Sequence, residues 1–106
     1  MSARYYKDLD LSGGVRIWVD FSTERGTIVN YRVVLLLDTL IGTETIRVYD
    51  GAHGYNEMHR YTRRFGKQTG TLFHSGSLAE GMRAAIQDME ARYLKMVEGG
   101  SDDEQQ

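Results

Sequence analysis

Two histidines, several arginines and several tyrosines fall within one short stretch of this chain, Arg47-Val48-Tyr49-Asp50-Gly51-Ala52-His53-Gly54-Tyr55-Asn56-Glu57-Met58-His59-Arg60-Tyr61. Imidazole gains and loses its proton near neutral pH, so two imidazoles beside fixed positive charge can serve as acid and base at a phosphate. Guanidinium groups pair bidentately with phosphate oxygens, and tyrosine rings stack on unpaired bases. The set supports RNA binding with metal-independent transesterification, in which His53 and His59 share the acid and base roles, or RNA binding alone. The same residue types also make ordinary cross-strand pairs on a solvated sheet face, worth about 0.2–1 kcal/mol each.

Strand alternation predicts how these residues are placed. Val15-Arg16-Ile17-Trp18-Val19-Asp20-Phe21 puts Val15, Ile17, Val19 and Phe21 on one face, the period of a half-buried strand. Ser22 to Gly26 reads as a hairpin loop, Ile28 to Leu37 as a central strand, and Asp38 to Gly42 as a turn. Thr43 to Tyr49 reads as a third strand and Glu57 to Phe65 as a fourth, so connections this short predict an antiparallel meander. With Ile46 and Val48 facing the core, Arg47 and Tyr49 point outward. His59, Tyr61 and Arg63 share one face of the next strand, with Arg60 on its other face. The expected outer surface therefore gathers Arg47, Tyr49, His59, Tyr61 and Arg63, with His53 on the loop at its rim. Arg47 and Arg60 are the phosphate contacts, Tyr49 and Tyr61 the base-stacking rings, and Arg32 with Arg16 or Trp18 extends the surface.

Ser77-Leu78-Ala79-Glu80 matches a capping box and opens a helix. Leu78, Met82, Ala85, Ile86, Met89, Tyr93, Met96 and Val97 form its apolar stripe, and Gly99-Gly100 is its expected end. That stripe must be buried, and the apolar face of the meander is the surface that can bury it. The expected fold is α+β, a four-stranded antiparallel meander with one long C-terminal helix packed on one face. It occupies a single domain over residues 1–100, followed by an acidic, disordered tail at 101–106. Residues 1–12 fit either a lead-in strand or an edge cover. The Gly-, Thr- and Ser-rich run 66–76 reads as a connection holding a short extended piece at Thr71-Leu72-Phe73.

Composition narrows the function classes. The chain has 106 residues, 41% apolar and 26% charged, in the range of ordinary globular domains. Its net charge of −2 hides a basic run. The tail holds three of the fifteen acids, leaving twelve against thirteen bases, and Arg60, Arg63, Arg64 and Lys67 cluster without an acid between them. A local basic patch on a near-neutral domain points to an anionic partner. No apolar run reaches the roughly eighteen residues of a membrane span, and the N-terminus lacks a secretory pattern, so a cytoplasmic protein without membrane contact is expected. The absence of cysteine excludes disulfides and thiolate metal sites. Asp50, His53 and His59 can supply a carboxylate and two imidazoles to a transition metal, but their spacing matches no strong metal motif, so no metal or other cofactor is expected. His74 lies in a connection and reads as structural. Gly13-Gly14 and Gly51 to Gly54 lack the framing of a phosphate loop.

Tyr49-Asp50, then Ala52-His53, with His59 on the following strand, resembles the core of TumE-type toxin components of toxin–antitoxin pairs and related small prokaryotic domains. In that family an arginine-rich strand runs into a Tyr-Asp-Asn-Ala-His step, followed by further histidines and a C-terminal helix. Here Gly51 stands where asparagine is usual, and Tyr55, Asn56, Glu57 and Met58 replace the usual histidine run. The likeness is close over residues 47–61 and loose over 28–97. It implies a cytoplasmic toxin or toxin-derived protein acting on RNA, with a cognate antitoxin as protein partner. The competing class is a non-enzymatic module for protein interaction or homodimer formation, favoured by an exposed Trp18 beside Arg16 and Arg32.

Overall fold

A computed structural model describes residues 1–10, 13–62 and 64–102, with side chains to residue 98. The architecture is α+β: an antiparallel sheet covered on one face by a C-terminal helix. Strands β1 (Ser2–Asp10), β2 (Val15–Glu24), β3 (Thr27–Thr39), β4 (Gly42–Asp50) and β5 (Asn56–Thr62) follow one another as a meander. Two short strands, β6 (Gly66–Lys67) and β7 (Thr71–His74), both pair with β5. The sheet thus has seven strands where four were expected. Residues 2–10 pair with β2 along almost their whole length, and the glycine-rich connection returns along β5 instead of leaving the sheet. Its short, broken pairing falls below the length at which period-two alternation can be recognised.

Val15, Ile17 and Val19 of β2 and Tyr31, Val33 and Leu35 of β3 form the core with Ala85, Met89 and Met96 of helix α1 (Leu78–Asp102). The expected stripe is the one that packs, and the expected cap forms. Glu80 Oε1 accepts from the Ser77 N–H at 3.1 Å, and Ser77 Oγ accepts from the Glu80 N–H at 3.2 Å. The bond from the Ser77 backbone, followed by that from its hydroxyl, holds the Glu80 carboxyl below its ordinary pKa. The helix departs from regular geometry at Arg92 (φ −131°, ψ 16°) and runs on through Gly99 and Gly100 to Asp102. The expected stop at the glycine pair is therefore not used; glycine in a helix costs only about 1 kcal/mol relative to alanine. Of the expected acidic tail, residues 103–106 lie outside the described residues. Among the described residues no helix is long and apolar enough to cross a membrane.

A buried asparagine fastens the sheet to the helix entrance. Asn56 Oδ1 accepts from the Tyr31 hydroxyl at 2.7 Å, and Nδ2 donates toward the carbonyls of His74, Gly76 and Ser77 at 3.0–3.2 Å. Those carbonyls lie at the end of β7 and in the cap, so one side chain fixes where α1 begins relative to β3 and β5. Burial, helped by the Asp50 charge, pushes the Tyr31 hydroxyl well above its ordinary pKa.

A carboxylate–imidazole cluster on the outer face

One irregularity in β4 decides which side chains meet. Leu35 pairs with Arg47 but Leu36 pairs with Thr45, so Ile46 is an extra residue, a β-bulge. Ile46 still packs in the core, and the residues after it change face. Arg47 and Tyr49 are opposite Leu35 and Val33 on the helix side, while Val48 and Asp50 turn outward opposite Val34 and Arg32. Strand β5 has the expected alternation, but its partners differ. Met58 and Arg60 join Tyr49 and Arg47 beneath the helix, while Glu57 and His59 join Asp50 and Val48 on the outer face.

The expected RNA surface is thereby divided. Tyr49 is 2% exposed, its ring lies edge-on to Phe73 at 4.5 Å, and its hydroxyl donates to Asp88 of α1. Arg47 and Arg60 line the same groove with Arg92 and His74. His59 and Tyr61 remain on the outer side, and Arg63 lies outside the described residues. Burial first, and then the bond to Asp88, raises the Tyr49 pKa. Partial burial works against the Asp88 carboxylate, but the Arg92 fork (2.6 and 2.8 Å) and the Tyr49 hydroxyl outweigh it and hold its pKa down. His74, read as structural, accepts the Gly76 N–H at Nδ1 (3.0 Å), though its ring also borders the groove.

On the outer face Asp50, Glu57 and His59 come together, each 6% exposed, with one oxygen or nitrogen of each within 4.8 Å of the others. His59 Nε2 lies 3.3 Å from Asp50 Oδ2. His59 Nδ1 donates to the Gln68 carbonyl at 3.1 Å, Asp50 Oδ1 accepts from the Ala52 N–H at 3.2 Å, and His53 Nδ1 bonds Glu57 Oε1. The run from Gln68 to Gly70 closes over the cluster. A methyl group on Gly70 would overlap Glu57 Oε2 and His59 Cε1. His53 itself is 67% exposed, and its bond to Glu57 raises its pKa. The two expected catalytic histidines therefore meet neighbouring carboxylates, but only His53 reaches solvent freely.

Sequence reasoning assembled Asp50, His53 and His59 but overlooked Glu57, although period-two alternation puts Glu57 on the face of His59. Gln68 and Gly70 carry no signal in the sequence, because their role comes from a backbone path. Asn56 was likewise overlooked. Its signal is a strand-end polar residue beside a Gly-flanked loop, too common to single out. No protein-family model, curated protein or solved structure matches the chain.

Proposed function

We propose that this chain is a small cytoplasmic protein of the toxin–antitoxin kind that engages RNA at the rim of its outer sheet face. The observation carrying this reading is a 210 Å³ surface cavity lined by Arg32 and Lys67 together with Asp20, Asp50 and Ala52, the last followed in the chain by the exposed His53. Two cations with a concave surface between them suit a phosphate. Single-stranded RNA lying there brings a ribose 2′-hydroxyl toward His53, whose Nδ1 is already held by Glu57. In this reading His53 touches RNA, while buried His59 positions the carboxylates behind it. Two-histidine transesterification needs both rings at the substrate, so the geometry favours binding, with any proton transfer passing through His53. Asp50 and Ala52, half of the Tyr-Asp-Ala-His set that resembles TumE-type toxins, line this cavity, and His53 follows Ala52 in the chain.

Trp18 is the single tryptophan and lies on the outer face, in line with Val34, Val48 and His59, so its fluorescence reports on this surface. Titration with single-stranded RNA should shift its emission. Arg32→Ala combined with Lys67→Ala should weaken binding and lower the log–log salt slope by about 1.4, the value for two phosphate contacts on a single strand. His53→Ala should abolish cleavage or growth inhibition and leave thermal stability near wild type. Unchanged affinity in the double variant removes the RNA site, and full activity of His53→Ala removes the catalytic role.

A second reading, protein association, has its own observation. Strand β1 is a nine-residue sheet edge with Tyr5 and Tyr6 45% and 60% exposed, a surface on which a second copy or a cognate antitoxin strand can pair. A Trp18 shift that follows protein concentration and ignores RNA selects this reading.

A further inference from the structure

We propose that Asp50, Glu57 and His59 form a binding site for one divalent first-row metal ion of the Mn²⁺ or Zn²⁺ class. Two buried carboxylates and one imidazole are brought within 4.8 Å, and among the described residues the ion-pair partners of the carboxylates are histidines, His59 for Asp50 and His53 for Glu57, with no lysine or arginine. Such a pair of like charges, both removed from water, calls for positive charge between them.

The tautomer of His59 sharpens the argument. A carbonyl oxygen can only accept, so the bond to Gln68 requires that Nδ1 carry hydrogen. With Nδ1 occupied in this way, the 3.3 Å approach of Nε2 to Asp50 Oδ2 is favourable only with positive charge between the two atoms, supplied by a proton on Nε2 or by a bound cation. Ligands bound at about 2.1 Å to one ion lie about 3.0–3.4 Å apart, and 3.3 Å falls in that range.

Each ligand is also oriented from behind. The Ala52 amide holds one oxygen of Asp50, His53 holds one oxygen of Glu57, and the Gln68 carbonyl holds His59. Partners of this kind fix ligand direction in metal sites. Gly70 completes the enclosure, because its missing side chain leaves the space beside Glu57 and His59 open. One nitrogen and two carboxylates suit Mn²⁺ or Zn²⁺ better than Ca²⁺, which prefers oxygen ligands alone.

The inference is independent of the RNA reading, and its test contains no RNA. Untagged full-length protein is stripped with chelator and titrated with MnCl₂ or ZnCl₂ by calorimetry, and thermal unfolding is followed in parallel. One ion per chain and a melting temperature that rises with metal concentration are expected. Asp50→Asn and His59→Gln should each weaken binding by more than the roughly 10–100-fold typical of losing an outer partner. Asp88→Asn, on the opposite face, should bind as wild type. Because His59→Gln also alters the bond to the Gln68 carbonyl, wild-type imidazole nitrogens are followed by NMR as well. Zn²⁺ should shift His59 Nε2 and leave His74 unmoved. Absence of binding, retained binding in Asp50→Asn, or an unshifted His59 in the presence of saturating Zn²⁺ overturns the proposal.

Discussion

Under the helix, Tyr49 donates to Asp88 and Arg92 clamps the same carboxylate, so opposite charges meet within the fold. On the outer face of the same two strands, Asp50 and Glu57 are buried together and face His59, with the nearest lysine and arginine at the cavity rim. The first arrangement contributes to folding, because the Asp88 carboxylate is satisfied by the chain itself, although the buried Nε of Arg47 beside it has no hydrogen-bond partner among the described residues. In the second, Asp50 faces His59 and Glu57 bonds His53, so among the described residues each carboxylate meets an imidazole and not a lysine or arginine. The comparison separates a carboxylate held by a guanidinium fork from two buried carboxylates whose partners are imidazoles.

Substitution on each face tests that division. The largest effect is expected at Tyr49, where Tyr49→Ala removes a fully buried ring and should cost about 3–5 kcal/mol in denaturant unfolding. A loss under about 1 kcal/mol would mean that the helix is not anchored there. Asp88→Asn should cost less, about 1–2 kcal/mol at pH 7, because the carboxylate is partly exposed. Its pKa is held down in the fold, so its contribution is complete above the unfolded carboxylate range and fades as pH falls through the folded value. The gap between wild type and Asp88→Asn, measured by unfolding across pH, should therefore begin to close below about pH 4. A gap unchanged down to pH 2 would contradict the ion-pair network. The smallest effect has the opposite sign. In metal-free protein Glu57→Gln should stabilise by about 1 kcal/mol, since it removes one of two crowded negative charges. Destabilisation of similar size would show that the outer cluster is also satisfied within the chain, and the contrast between faces would vanish.

Much of the scaffold was legible because it depends on local rules. The alternation from Val15 to Phe21 names the buried face of β2, and Ser77 with Glu80 marks the helix start. The stripe from Leu78 to Val97 has one apolar surface available to it. Strand β1 was ambiguous because its side chains are largely exposed and so show no burial pattern. The segment 47–61 holds the cluster's Asp50, Glu57 and His59, yet Arg47 and Tyr49 were assigned to the wrong side. Ile46 and Val48 look alike as core-facing aliphatic residues two apart, and no residue type announces the bulge that separates their faces. Glu57 was accessible to the same alternation that placed His59, but a lone acid between histidines has no distinctive spacing.

Sequence alone therefore determined the α+β class, the meander, the helix with its cap, and the short segment that holds the imidazoles. Periodicity and capping act between residues a few positions apart, where composition constrains geometry directly. Tertiary structure alone decided which charges are neighbours. A single extra residue at Ile46 reverses every side chain after it, and the return of residues 66–74 along β5 brings Gln68 and Gly70 against His59 and Glu57. Both depend on pairing between strands, which no local pattern encodes, and together they separate a network of opposite charges under the helix from a carboxylate–imidazole cluster on the outer face.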